Sequence, residues 1–136
     1  MKASDLRIGN FVLIENDLLP NLKNEPVVVT GIQSRTEKEF PLSDYVISVQ
    51  IDKYNGTSQF NEFIKPIPLT EEWLAKFEFV FDENLWHNQI ALYPCDKGFN
   101  YNVNFFEYDN LQNIEFVHQL QNLYHALTGE ELILQS

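Results

Sequence analysis

Chemistry in this chain would have to start from very few residues. His87, His118 and His125 are its histidines, Cys95 is its single cysteine, and Arg7 is one of two arginines. His118 and His125 fall on one face of an expected C-terminal helix, but seven positions put them ~10 Å apart along its axis. Zinc-binding helices place ligands three or four apart, as in H-E-x-x-H, so no metal site is expected. Cys95 stands next to Asp96 rather than next to a base, and one cysteine builds neither a disulfide nor a thiolate-rich metal site. The G-x-S-x-G elbow and the glycine-rich phosphate-cradling patterns are missing, and nothing selects a catalytic pair from the twenty carboxylates. No catalytic residue and no cofactor is therefore expected. An unrecognised acid/base pair is the remaining enzymatic alternative.

Binding is the better use of these residues. Arg7 sits in Leu6-Arg7-Ile8-Gly9-Asn10, beside a turn whose backbone donors could help hold an anion; a salt bridge is the plainer role. Trp86 and Tyr93 could stack on a ligand ring. His118, Asn122 and His125 form a polar strip along the apolar arc of the helix, and Glu115 is placed to orient His118. The plainer reading of that strip is a solvated boundary.

These residues need elements to hold them. Residues 114–128, IEFVHQLQNLYHALT, carry apolar side chains at helical spacing and end at Gly129, which predicts a packed C-terminal helix. Thr70 predicts a cap for a short helix over 70–77, with Glu71 and Glu72 in its first turn and Leu69 and Leu74 placed as a hydrophobic staple. Leu85–Tyr93 and Phe99–Tyr108 read as a β-hairpin over 85–108. In its second strand Phe99, Tyr101, Val103 and Phe105 alternate with Asn100, Asn102 and Asn104. The N-terminal half predicts short strands at Phe11–Ile14, Val27–Thr30, Tyr45–Ile51 and Ser58–Ile64, joined by a charged loop over Gln33–Asp44. Such strands suit a small, strongly bent antiparallel sheet that could close as an SH3-like barrel. The expectation is a single α+β domain over 1–136, with a soft internal join near residues 65–69, where Pro66-Ile67-Pro68 interrupts regular structure.

With 136 residues and 44% hydrophobic content, the chain can bury a real core. Its formal charge is −11, and from Phe77 onward Lys97 is the only basic residue against nine carboxylates. That balance disfavours direct binding to nucleic acid, whose phosphates would be repelled. An acidic face could dock a basic protein surface or imitate nucleic acid, although a solvated face is the commoner reason for such charge. No signal-like or membrane-spanning run is present, so a cytoplasmic protein without membrane contact is expected. A row of amides on an edge strand could pair with a second copy, which makes a homo-oligomer an option.

Three segments, LRIGN at Leu6–Asn10, PIPLTEEWLAKF at Pro66–Phe77 and VHQLQNLYHALTGEEL at Val117–Leu132, resemble a group of small uncharacterised proteins encoded by phages and prophages of Bacteroidetes bacteria. The resemblance implies a small protein acting in the host cytoplasm and transfers no catalytic residue. It implies interference with host defence by binding. The sharper form is sequestration of a small nucleotide-derived signal by Arg7, Trp86, Tyr93, His118, Asn122 and His125. The alternative is an acidic inhibitor of a host protein, with Glu107, Asp109 and Glu115 on its acting face.

Overall fold

The computed structural model describes residues 1–34, 45–102 and 111–134. Most of the expected loop over Gln33–Asp44, and with it Val103, Asn104, Phe105, Glu107 and Asp109, lies outside the described residues. The architecture is mixed α+β, with two five-stranded antiparallel sheets, one short helix and one longer helix. The chain divides into two compact units, Met1–Ile67 and Pro68–Ser136, at the proline-rich join.

The first unit is a sheet of β1 (Phe11–Ile14), β2 (Val27–Ser34), β3 (Tyr45–Gln50), β4 (Gly56–Phe60) and β5 (Ile64–Lys65) in the order β4-β3-β2-β1-β5. Alternation decides which side chains go inside. Val12 and Ile14 on β1, Val27 and Val29 on β2, and Ile47 and Val49 on β3 are buried, and Ile64 and Leu6 complete the core. Burying each such branched side chain contributes about 1.5–3 kcal/mol. The strand that begins in the β-branched run Val27–Thr30 continues through Gly31 and Ile32 to Ser34. The register between β2 and β3 shifts between Val29 and Gly31, and pairing continues to Ser34 opposite Tyr45.

The Gly9-Asn10 signal is a tight entry into this sheet. Gly9 takes φ 98° and its amide donates to the Val29 carbonyl at 2.8 Å. Asn10 is fully buried, and its side-chain oxygen accepts the Arg7 amide at 2.7 Å. Residues 58–64, expected as one strand, are interrupted: β4 ends at Phe60, Asn61–Phe63 makes a 3-10 turn, and β5 then pairs with β1. That turn joins the two edge strands β4 and β5, which are not paired with each other, so the sheet is not closed into a barrel.

The second unit opens with α1 (Glu71–Lys76), capped by the Thr70 hydroxyl, which accepts the Trp73 amide at 3.4 Å. Leu69 and Leu74 are both buried, as the staple requires. Trp73 is half-buried, packs on Phe77 at 5.7 Å between ring centroids, and has the Lys76 ammonium 5.3 Å from its own ring centre. The sheet that follows runs β10-β9-β8-β7-β6, a meander of β6 (Val80–Asp82), β7 (Leu85–Asn88), β8 (Ile90–Pro94), β9 (Phe99–Asn102) and β10 (Leu111–Ile114).

Two departures from the expected hairpin matter. The stretch from Leu85 to Tyr93 is two strands folded at Gln89, φ 54°, where Asn88 faces Ile90. An extra strand, β6, pairs with β7 across Glu83 and Asn84, both at positive φ as a type I′ turn demands. The last helix, α2 (Val117–Thr128), also starts later than expected, because Ile114 closes β10 opposite Phe99. Its first turn is held by the Gln119 side-chain oxygen, which accepts the amides of Glu115 and Phe116 at 2.9 and 3.1 Å. Gly129 ends it at φ 74°. Beyond it Leu132 is buried and Ile133 exposed.

Candidate functional site

The expected ligand-binding residues are distributed over both units. Arg7 belongs to the first; Trp86, Tyr93, His118, Asn122 and His125 belong to the second. Arg7 is half-buried at the entry turn, with Nη1 3.5 Å from the Ile8 carbonyl oxygen. In the second unit the two rings stand on opposite faces of the sheet. Trp86 is opposite Leu92, which is fully buried, whereas Tyr93 follows Leu92 along β8, faces the other way and is exposed. The outward face carries Tyr93, Asn100 and Asn113 in register, and the Cys95 thiol lies 3.5 Å from the Asn113 side-chain oxygen. On the inward side Trp86 meets Phe81 at 5.2 Å between ring centroids, and Phe81 is exposed on edge strand β6.

The polar strip on α2 is not uniform. His118 is only 4% exposed, its ring stacked on Phe116 with centroids 5.9 Å apart. Gln121 beside it is also buried. His125 is half-buried, its side chain 43% exposed, and lies 3.8 Å from a Glu131 carboxylate oxygen. Asn122 is half-buried between them in sequence. The Glu115 carboxylate, expected to orient His118, accepts the Asn113 side-chain amide at 3.1 Å. Tyr124, three residues after Gln121, is buried, and its phenol is pushed above the usual tyrosine range by that burial and then by the Glu130 charge, against a hydrogen bond from Gln89. Gln89 also donates to Glu130 at 3.3 Å, so the fold between β7 and β8 is tied to the C-terminal end of α2.

A cavity that none of those residues lines opens in the first unit. It has a volume of about 320 Å³, at the lower end of the range for ligand sites. Leu18, Val46, Phe60 and Phe63 form its apolar wall, and Asn16, Ser58 and Gln59 add amide and hydroxyl groups. The geometry follows from strand pairing. Val46 stands opposite Phe60 and Ser48 opposite Ser58, so these four share the face of β3 and β4 that points away from Ile47 and Val49. The 3-10 turn brings Phe63 beside Phe60, ring centroids 6.5 Å apart. The loop after β1 closes the other side. Asn16 donates to the Gln59 side-chain oxygen at 2.9 Å and accepts the Leu18 amide at 3.0 Å, and the Glu15 amide donates to the Phe63 carbonyl at 2.8 Å. Leu18 itself is 85% exposed.

Sequence reasoning overlooked this groove. Phe60 and Phe63 are three positions apart, which on one continuous strand puts them on opposite faces; the 3-10 turn over Asn61–Phe63 brings both rings to one cavity. The single local signal was Leu18, an apolar residue in a polar loop.

Among the described residues, no three His, Cys, Asp or Glu side chains come together as a metal site, and no helix is long and apolar enough to cross a membrane. Comparison with protein-family models, with curated proteins and with solved structures returns no match.

Proposed function

We propose that this is a non-catalytic binding protein that acts on another protein, in keeping with the phage and prophage proteins that its sequence resembles. The observation that carries this reading is the groove of the first unit. Among the described residues its wall offers aliphatic, aromatic, hydroxyl and amide groups but no acid, base or cation, which suits contact with a partner rather than bond-breaking chemistry. The strongly acidic second unit, whose only basic residues are Lys76 and Lys97, supports a partner that is itself basic. Interference with a host function in the cytoplasm is the role that the resemblance implies.

Sequestration of a nucleotide-derived signal is the second reading. It is favoured by the Phe81–Trp86 ring pair with Phe81 open on the edge strand. It ranks lower because Trp86 and Tyr93 face opposite sides of their sheet and so cannot clamp one base.

The deciding measurement is native mass spectrometry of the purified protein before and after incubation with extract from phage-challenged cells. A host polypeptide retained in low salt and released in high salt is the expected result. A bound mass of a few hundred daltons would move the assignment to sequestration, and turnover of any added metabolite would overturn both readings.

A further inference from the structure

The charge around the groove of the first unit specifies its occupant more closely than its volume does. Among the described residues, those that line it and their immediate neighbours in the chain include three carboxylates, Glu15, Asp17 and Glu62, all exposed, and no lysine or arginine. Glu15 and Phe63 are joined by a backbone hydrogen bond, so Glu15 and Glu62 are brought to the same end of the groove, while Asp17 adjoins Asn16 and Leu18 along the loop. An apolar trough edged in this way repels phosphate and carboxylate and attracts cations at its rim.

The amides within it are already committed to shaping the wall. Asn16 bonds Gln59, and the Gln59 amide donates to the Thr57 hydroxyl at 3.2 Å. A ligand is therefore recognised by its apolar side chains and its flanking charge. An extended segment that carries its own solvated backbone, as polyproline II does, makes the least demand on such a wall.

Building on the protein-binding reading, we propose that the groove between the loop after β1 and the β4 edge binds an extended peptide segment of the partner, with proline or other apolar residues at its centre and lysine or arginine at its flanks. The central side chains fill the space between Leu18, Val46, Phe60 and Phe63. The flanking cations lie against Glu15, Asp17 and Glu62.

The test is selection from a display library of random peptides about nine residues long, three turns of polyproline II, against the full-length protein. Enriched sequences should share a basic flank and an apolar centre, and one of them, synthesised with a fluorescent label, should bind saturably and more weakly as salt is raised. Leu18→Ser, at a side chain almost wholly in solvent, and the Glu15→Lys/Glu62→Lys pair should each weaken that peptide at least tenfold. Both variants should keep the parent melting temperature, and Phe60→Ser serves as a third variant if its fold holds. No enrichment, enrichment of acidic sequences, or binding unchanged in the Leu18→Ser and charge-reversed proteins would overturn the proposal. Failure of the broader reading looks different. If a host polypeptide is retained by the parent and equally by Leu18→Ser, protein binding stands and the groove is not its site; if no polypeptide is retained, the peptide selection decides the groove alone.

Discussion

The Asn16 side-chain amide donates to the side-chain oxygen of Gln59 at 2.9 Å, joining two residues 43 positions apart. The bond fastens the loop after β1 to edge strand β4 and sets one wall of the groove. The Glu15 amide, which donates to the Phe63 carbonyl at 2.8 Å, and Leu19 and Leu22, packed against the core, hold the same loop, while Leu18 stays exposed. Asn16→Ala should cost about 0.5–1.5 kcal/mol of stability, the usual net worth of such a bond. Urea titration checks this, and Gln59→Ala in the same background should add much less than it does alone, because both changes remove one interaction.

His118 illustrates how burial changes the meaning of a residue. Its ring is 4% exposed and stacked on Phe116, so it is a packing residue of α2 before it is anything else. His118→Ala should destabilise the protein by about 1–3 kcal/mol, in the range of truncations at buried positions. His125→Ala, at a solvent-facing ring, should change the urea midpoint little, within about 0.5 kcal/mol. Equal effects of the two changes would contradict the burial difference.

Two glycines at positive φ make opposite predictions about space. Gly98 (φ 78°) ends the turn into β9, and a Cβ there would strike the Ile114 carbonyl oxygen and come within 2.9 Å of Glu115 Cα. Gly129 (φ 74°) has nothing within 4 Å of that position. Gly129→Ala should cost only the left-handed backbone strain, about 1 kcal/mol. Gly98→Ala must also push β10 away from β9, so its melting temperature should fall clearly further.

Tyr124 gives stability a slope in alkali. Burial and the Glu130 charge both favour its neutral form, so its folded pKa lies above the ordinary tyrosine value of 10.0. Above that value the unfolded chain has released the phenol proton while the folded chain still holds it. The native state then binds more protons, and stability falls as pH rises from the unfolded pKa through the folded one. Urea midpoints measured from pH 9 upward should drop more steeply for the parent than for Tyr124→Phe, which keeps the ring and removes the proton.

Much of the fold was legible because it is local. The cap at Thr70, the staple of Leu69 and Leu74, and the Gly129 stop act within one helical turn, so their residue types are sufficient. The alternation of Ile47 and Val49 with Ser48 and Gln50 likewise announced a half-buried strand. The hidden elements are those whose turns carry no glycine. Glu83, Asn84 and Gln89 adopt positive φ without the residue that normally signals it, so β6 went unseen and β7 merged with β8.

By itself, the sequence determined the secondary-structure types, the apolar faces and the acidic balance, because periodicity, capping and charge are properties of neighbours along the chain. The tertiary structure alone decided which of those residues meet. Burial separated His118 from His125 on one helix, and strand pleat sent Trp86 and Tyr93 to opposite faces. A three-residue turn, with a loop anchored from Asn16 to Gln59, made a groove from Leu18, Val46, Phe60 and Phe63. No local pattern encodes that groove, because its walls come from three segments brought together by strand pairing over long sequence separations.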